Sequence, residues 1–131
     1  MAQVSALLCC DHSVFTRGLW TFVNAFDELV FDSFPAVHPG FDVMVVMSDL
    51  LSLEEIGIEL EIVDFRRELD DAANAVVWYD MIGIEGTSQL KKEWIRFRTG
   101  QVTFRQPGIH EIRVLLNGRI LETGTLQVRT G

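Results

Sequence analysis

Apolar and polar residues alternate along much of this chain, and a period of two lays out extended segments rather than helices. The best-specified stretch is Pro107 to Val128, PGIHEIRVLLNGRILETGTLQV, where Asn117-Gly118 separates two apolar runs. Both central positions of a type I′ turn need φ > 0, which this dipeptide tolerates, so a two-residue hairpin is predicted there. Counting outward from the turn pairs Leu116 with Arg119, Leu115 with Ile120, Val114 with Leu121, Arg113 with Glu122 and Ile112 with Thr123. Ile112, Val114, Leu116 and Leu121 then share a face that needs a second sheet over it, while Arg113 and Glu122 form a charge pair on the other.

The remaining pattern supplies the other strands. Val4 to Cys10 is a short apolar run closed by Asp11 and His12. Arg17-Gly18 offers a turn into Leu19 to Phe26, whose two faces are both largely apolar, as in a central strand or one covered by a partner. DELVFDSFPAVHPG reads as a connection with its aromatics pinned to the core, and Phe41 to Ser48 as a strand with little room for water on either side. Ser52 and Glu55 fit a capping box. From Ile56 to Val63, however, β-branched residues alternate with glutamates, which favours a half-buried strand over a helix from Leu53 to Leu69. Phe65 to Ala73 reads as a charged connection, Ala75 to Ile82 as a strand, and Gly83, Gly86, Thr87 and Ser88 as a loop. Trp94 to Phe104 reads as one strand bulged at Gly100, Gln106 to Ile109 as a type II turn, and Thr123-Gly124 as a second bulge. The sum is an all-β chain: a single antiparallel β-sandwich of seven to eight strands, immunoglobulin-like, occupying residues 1–131 as one domain.

Composition agrees with a folded protein and narrows the function. The 131 residues are 48% hydrophobic and 23% charged, enough to bury a core without a disulfide or a metal. No apolar run approaches the roughly 18 residues of a membrane span. MAQVSALLCC carries no basic residue ahead of its apolar run, and Leu7-Leu8-Cys9 is only a faint lipobox echo, so a cytoplasmic location is expected. Cys9 and Cys10 are adjacent and point to opposite faces of a strand, which suits reduced thiols. The net charge of −8 is unevenly spread: residues 1–90 hold 3 Lys/Arg against 16 Asp/Glu, a balance of −13, and residues 91–131 hold 8 against 3, a balance of +5. The two segments should attract each other, and the acidic total disfavours nucleic acid.

The order of these signals also resembles a family of small bacterial proteins classed as a domain of unknown function. The matching pieces are VSALLCCD, FDELVFDSFPAVHPGFDVMVVM and VTFRQPGIHEIRVLLNGRILETGTLQV, which span nearly the whole chain. The resemblance implies a β-sandwich core and no assigned activity. In immunoglobulin-like sandwiches a tyrosine follows such a Pro-Gly turn; His110 takes that place here.

Candidate chemistry is sparse. His110 shares parity with Ile112 and Val114 and reads as a corner histidine bonded to nearby backbone rather than a catalytic group. Cys9-Cys10-Asp11-His12 gathers a thiol, a carboxylate and an imidazole, but consecutive strand residues diverge, whereas a nucleophile needs its base within reach. Asp27, Glu28, Asp32, Asp42 and Asp49 are the acidic positions that would have to converge to bind a divalent cation; no calcium-loop motif accompanies them, and His12, His38 and His110 have no ligand spacing. There is no GxxxxGK[ST], GxGxxG or GxSxG.

The feature with most binding character is the outward stripe Lys92, Trp94, Arg96 and Arg98, where a tryptophan sits among cations. Alternatively a loop covers Trp94 and the arginines pair with Glu59 and Glu61. Leu115 and Ile120, beside the hairpin tip and away from the core, add a small apolar patch suited to a dimer contact. The expectation is a non-enzymatic interaction or assembly module that meets itself or another protein through strand surfaces, with no cofactor, metal, nucleic acid or membrane. The alternative is a ligand- or metal-binding sandwich using the acidic end loops.

Overall fold

The computed structural model describes residues 2–49, 55–85 and 92–131. Among them eleven strands follow in chain order: β1 (Gln3–Thr16), β2 (Leu19–Phe26), β3 (Glu28–Phe31), β4 (Ala36–His38), β5 (Asp42–Ser48), β6 (Glu55–Asp64), β7 (Val76–Glu85), β8 (Glu93–Arg98), β9 (Val102–Phe104), β10 (Gly108–Leu116) and β11 (Arg119–Thr130). One helix, α1 (Phe65–Asp70), and a single 3-10 turn at Ala72–Asn74 join β6 to β7. The strands form a four-stranded sheet ordered β2-β1-β5-β8, a five-stranded sheet ordered β3-β11-β10-β6-β7 and a small pair β4-β9. The chain is thus all-β with eleven described strands in three sheets, rather than seven or eight strands in one sandwich. It is not purely antiparallel either, since β3 runs parallel to β11.

The core lies between the two larger sheets. From one come Cys9, Val43, Val45, Met47, Ile95 and Phe97; from the other Ile58, Leu60, Ile62, Ile112, Val114, Leu126 and Val128. Alternation explains the selection, because every second residue of each strand points inward. β5 is the exception that the sequence foresaw. With β1 and β8 on its two sides it is central, and Met44 and Val46 are buried on the face opposite Val43, Val45 and Met47. The β7 edge is closed by Trp78, whose Nε1 donates to the Thr99 carbonyl at 2.9 Å while its ring meets Phe97 edge-on.

The hairpin forms where expected. Asn117 and Gly118 take φ of 52° and 77°, as a type I′ turn requires. Leu116 faces Arg119 and Leu115 faces Ile120, but Val114 then faces Glu122, Arg113 faces Thr123 and Ile112 faces Gly124. The bulge therefore falls at Leu121 and not at Thr123-Gly124, and it breaks the expected Arg113–Glu122 pair. The slip sets Gly124 against the opposite sheet, where a Cβ would lie 3.1 Å from Leu7 Cδ2.

Several other expectations change. β1 continues through Asp11 and His12 to Thr16 instead of ending there. β2 is an edge strand, so its apolar faces do not reflect a central position. DELVFDSFPAVHPG is not a bare connection but carries β3, a cis Phe34-Pro35 bond and β4, with Phe31 and Phe34 packed against the core as foreseen. Ile56 to Val63 is strand, and the helix begins only at Phe65, capped by Asp64, which accepts from Arg67 N. The capping-box residue Ser52 and the loop residues Gly86, Thr87 and Ser88 lie outside the described residues, while Gly83 belongs to β7.

Trp94 to Phe104 is two strands, not one bulged strand: β8 joins the four-stranded sheet and β9 pairs with β4. Gly100, at φ 61°, turns the chain between them, and Gly40 approaches so closely that a Cβ there would meet Gly100 O at 3.1 Å. Gly108 opens β10 with φ of 144°, which is not the roughly +80° of a type II turn.

Candidate functional site

The outer face of the four-stranded sheet is built by a hairpin that curls back over it. β1 and β2 are joined by Arg17-Gly18, at φ 54° and 77°, and Asn24 in β2 takes φ of 54°, an uncommon backbone for a residue with a Cβ. Beyond that point the hairpin reaches β8. Trp20 and Phe22 lie near-parallel to Trp94, with ring centroids 6.2 and 6.3 Å away, and Phe15 packs on Trp20 at 5.0 Å. The Arg96 guanidinium sits 5.5 Å from the Trp20 ring centre, within cation–π range, and donates to the Ser13 carbonyl at 3.2 Å. Met44 and Val46, buried on the side of β5 away from the main core, stand opposite Arg96 and Trp94 in the register.

Ser13 also belongs to a buried polar anchor. Asp42 Oδ2 accepts from Ser13 N at 2.9 Å and from Ser13 Oγ at 2.6 Å, and its Oδ1 lies 3.5 Å from Arg98 Nε. The carboxylate thus has the charge-assisted bonds that a buried anion needs. Between the hairpin tip and the start of β8, Phe15, Gly18, Leu19, Trp20, Lys92, Glu93 and Trp94 line an open cleft of about 640 Å³. Leu19 is 71% exposed and Trp94 45%. The stripe Lys92, Trp94, Arg96 and Arg98 therefore lies on one outer face. Trp94 is packed by aromatics rather than hidden under a loop, and Arg96 and Arg98 engage Trp20, Ser13 and Asp42 rather than Glu59 and Glu61.

Leu115 and Ile120 lie elsewhere. They face each other across β10 and β11 on the outer side of the five-stranded sheet, Leu115 half-buried and Ile120 49% exposed. Leu115 is also opposite Glu59, which is opposite Met81, so Ile120, Leu115, Glu59 and Met81 form a row across four strands. In the next row Arg113 is gripped by Glu68 of α1 through Nη1 at 2.7 Å and Nη2 at 2.8 Å, with Glu111 and Glu61 beside it. The Arg113 bond holds the Glu68 carboxyl below its usual range. Tyr79 OH donates to Glu59 at 2.7 Å. The six expected residues thus divide between two opposite faces. Phe15, Leu19, Trp20, Phe22, Tyr79 and Met81, which the sequence reading did not select, complete those faces. The alternation of Trp20 and Phe22 was visible in the sequence; that they would reach β8 was not.

The groups weighed for catalysis are placed unfavourably for it. Cys9 and Cys10 are buried, and burial first, with Cys10 beside it, pushes the Cys9 thiol up to about 12. Burial and Asp42 raise Cys10 as well. Both are protonated at neutral pH, and a thiol is a poor nucleophile. His110 is fully buried, with Nδ1 3.1 Å from the Gly108 carbonyl and its ring edge-on to Phe104 at 5.2 Å. Among the described residues no group of three or more His, Cys, Asp or Glu is placed to hold a metal ion. Glu28 is bonded to Arg129 and Asp42 to Ser13 and Arg98, so the acidic positions do not converge. No helix among the described residues is long and apolar enough to cross a membrane.

The architecture defines an all-β protein in which two larger sheets enclose one core. Within that class, the model of a family of unknown function, DUF6941, matches residues 5–129, and the chain belongs to that family. No curated protein matches the sequence. Solved structures with a similar fold include the Pseudomonas fluorescens alkylpurine DNA glycosylase AlkC bound to DNA containing an abasic site analog, 12% identical with a TM-score of 0.55 over 98% of this chain and 30% of that one. Another is the beta-glucosidase from Listeria innocua in complex with isofagomine, 10% identical with a TM-score of 0.50 over 98% of this chain and 16% of that one. This chain spans less than a third of either, and at such identity the likeness concerns the fold alone.

Proposed function

We propose that this chain is a non-enzymatic interaction or assembly module of the bacterial cytoplasm, an immunoglobulin-like sandwich that meets a second copy of itself or another protein through its strand surfaces. The observation that carries the reading is the exposed aromatic layer on the outer face of the four-stranded sheet. A sandwich needs one apolar face per sheet, and here a second one is built from half-buried Trp20 and Phe22 with Phe15, Leu19 and Trp94 exposed to solvent. Clustered aromatics beside arginine are the composition of an interface centre, combining large contact area with few side-chain rotors to freeze. The buried, protonated thiols and the enclosed histidine support the non-enzymatic part.

Light scattering on the size-exclusion eluate, over a wide range of loading concentrations, tests it together with pull-down from the source cell. A mass above one chain, or a partner whose capture is lost in Trp94→Ser, is the expected result. A strict monomer that captures nothing overturns the proposal.

A further inference from the structure

The two outer faces differ in charge but both expose apolar side chains. On the four-stranded sheet, Lys92, Arg96 and Arg98 border the cleft and aromatic layer and Arg17 stands at the hairpin tip, against Glu93 in the cleft lining and the buried Asp42. On the five-stranded sheet, Glu59, Glu61, Glu68 and Glu111 surround a single Arg113, and Tyr79, Met81 and Ile120 are exposed among them. Each face therefore offers what the other lacks. A face with a preponderance of one sign is repelled by its own copy more than by the other face, so front-to-back contact is favoured over a two-fold one.

We propose that copies of this chain stack front to back, the aromatic and cationic face of one seated on the acidic face of Glu59, Glu61, Tyr79, Met81 and Ile120 on the next. The proposal rests on the reading that the chain self-associates, and adds which surfaces meet and with what symmetry. Because the surfaces are different and lie on opposite sides of the molecule, every contact leaves a free face at each end. Such a heterologous contact closes into a ring or extends into a filament, and does not stop at two copies. Ring faces of Trp20 and Trp94 would cover Met81 and Ile120, while lysine and arginine meet the glutamates at the rim, where complementary charge sets orientation more than affinity.

Sedimentation velocity distinguishes this geometry from others. The wild type should form species larger than a dimer, and raising NaCl from about 0.05 M to about 0.5 M should weaken them by roughly tenfold, since exposed charge pairs are screened. Phe15→Ser with Leu19→Ser removes one face, and Met81→Ser with Ile120→Ser removes the other; all four positions are exposed, and circular dichroism checks that the fold survives. Each double variant alone should be monomeric. Mixed one to one they retain one good junction and should give a dimer and nothing larger. A charge-only pair adds an independent check: Lys92→Glu or Glu59→Lys alone should weaken assembly, and mixing the two should restore it.

A mixture of the double variants that stays monomeric overturns the stacking, as does one double variant that assembles as well as wild type. A wild type that is monomeric throughout overturns the underlying self-association instead, so the two failures are told apart.

Discussion

His110 occupies a fully buried site with one ring nitrogen near the Gly108 carbonyl and the other, Nε2, without a partner. Burial holds its pKa below the ordinary histidine value, and burial does the same to His38. A group whose pKa is lower folded than unfolded takes its proton more readily in the unfolded chain, so acid favours unfolding. Stability should be flat above about pH 7 and fall once pH drops below about 6.5, the unperturbed value. Glu68, depressed by Arg113, adds loss in the same direction only below about 4.5. Urea midpoints measured from pH 7.5 down to 5 test this, and His110→Gln should flatten the slope. An unchanged wild-type midpoint across that window would contradict it. The thiols give a second check: Cys9 and Cys10 should resist Ellman's reagent in the native protein and react on unfolding. Ser13→Ala removes the Oγ bond from a buried carboxylate and should cost about 1–3 kcal/mol in chemical denaturation. The Ser13 N bond survives, so the lower end applies.

Elements whose conformation is locally specified were the most legible. Asn117-Gly118 dictates its own turn, and Gly118→Ala, placed at φ 77°, should destabilise by about 1 kcal/mol in thermal or chemical unfolding. A loss near zero would show that the hairpin does not depend on that backbone. The two pairs next to the turn followed from its geometry. The third did not, because a bulge at Leu121 shifts the register, and Gly124 then lies beside Leu7 of the other sheet. In the same way the change of parity around Gly100 was visible, but a bulge and a change of sheet leave the same trace in a sequence. The structure makes it a change of sheet, with β9 paired to β4 and Gly40 lying close to Gly100. The apolar faces of β2 and β5 look alike in sequence, yet β5 is central and β2 an edge. Hydrophobicity on both faces records that something covers a strand, and says nothing of whether that is a sheet neighbour, a curled hairpin or another molecule.

Across the whole molecule, the acidic and basic segments do attract each other: Arg98 reaches Asp42, Arg113 reaches Glu61 and Glu68, and Arg129 reaches Glu28. Two of the acidic positions, Glu28 and Asp42, are engaged in such pairs, and among the described residues no group of three or more His, Cys, Asp or Glu is placed to hold a metal ion. Calcium should therefore leave the melting temperature unchanged, since only binding to the folded state can raise it; a clear rise would bring back the reading of a cation site in the end loops.

By itself the sequence determined the strand-rich class, the turn at Asn117-Gly118, the double burial of β5 and the residues that face the core, since alternation and turn chemistry act over a few neighbouring positions. Tertiary structure alone decided strand order, the register beyond Leu115, the split of Trp94 to Phe104 and the meeting of Trp20 and Phe22 with Trp94. Those depend on which distant segments come to lie side by side, and a period-two pattern is the same whichever neighbour a strand acquires.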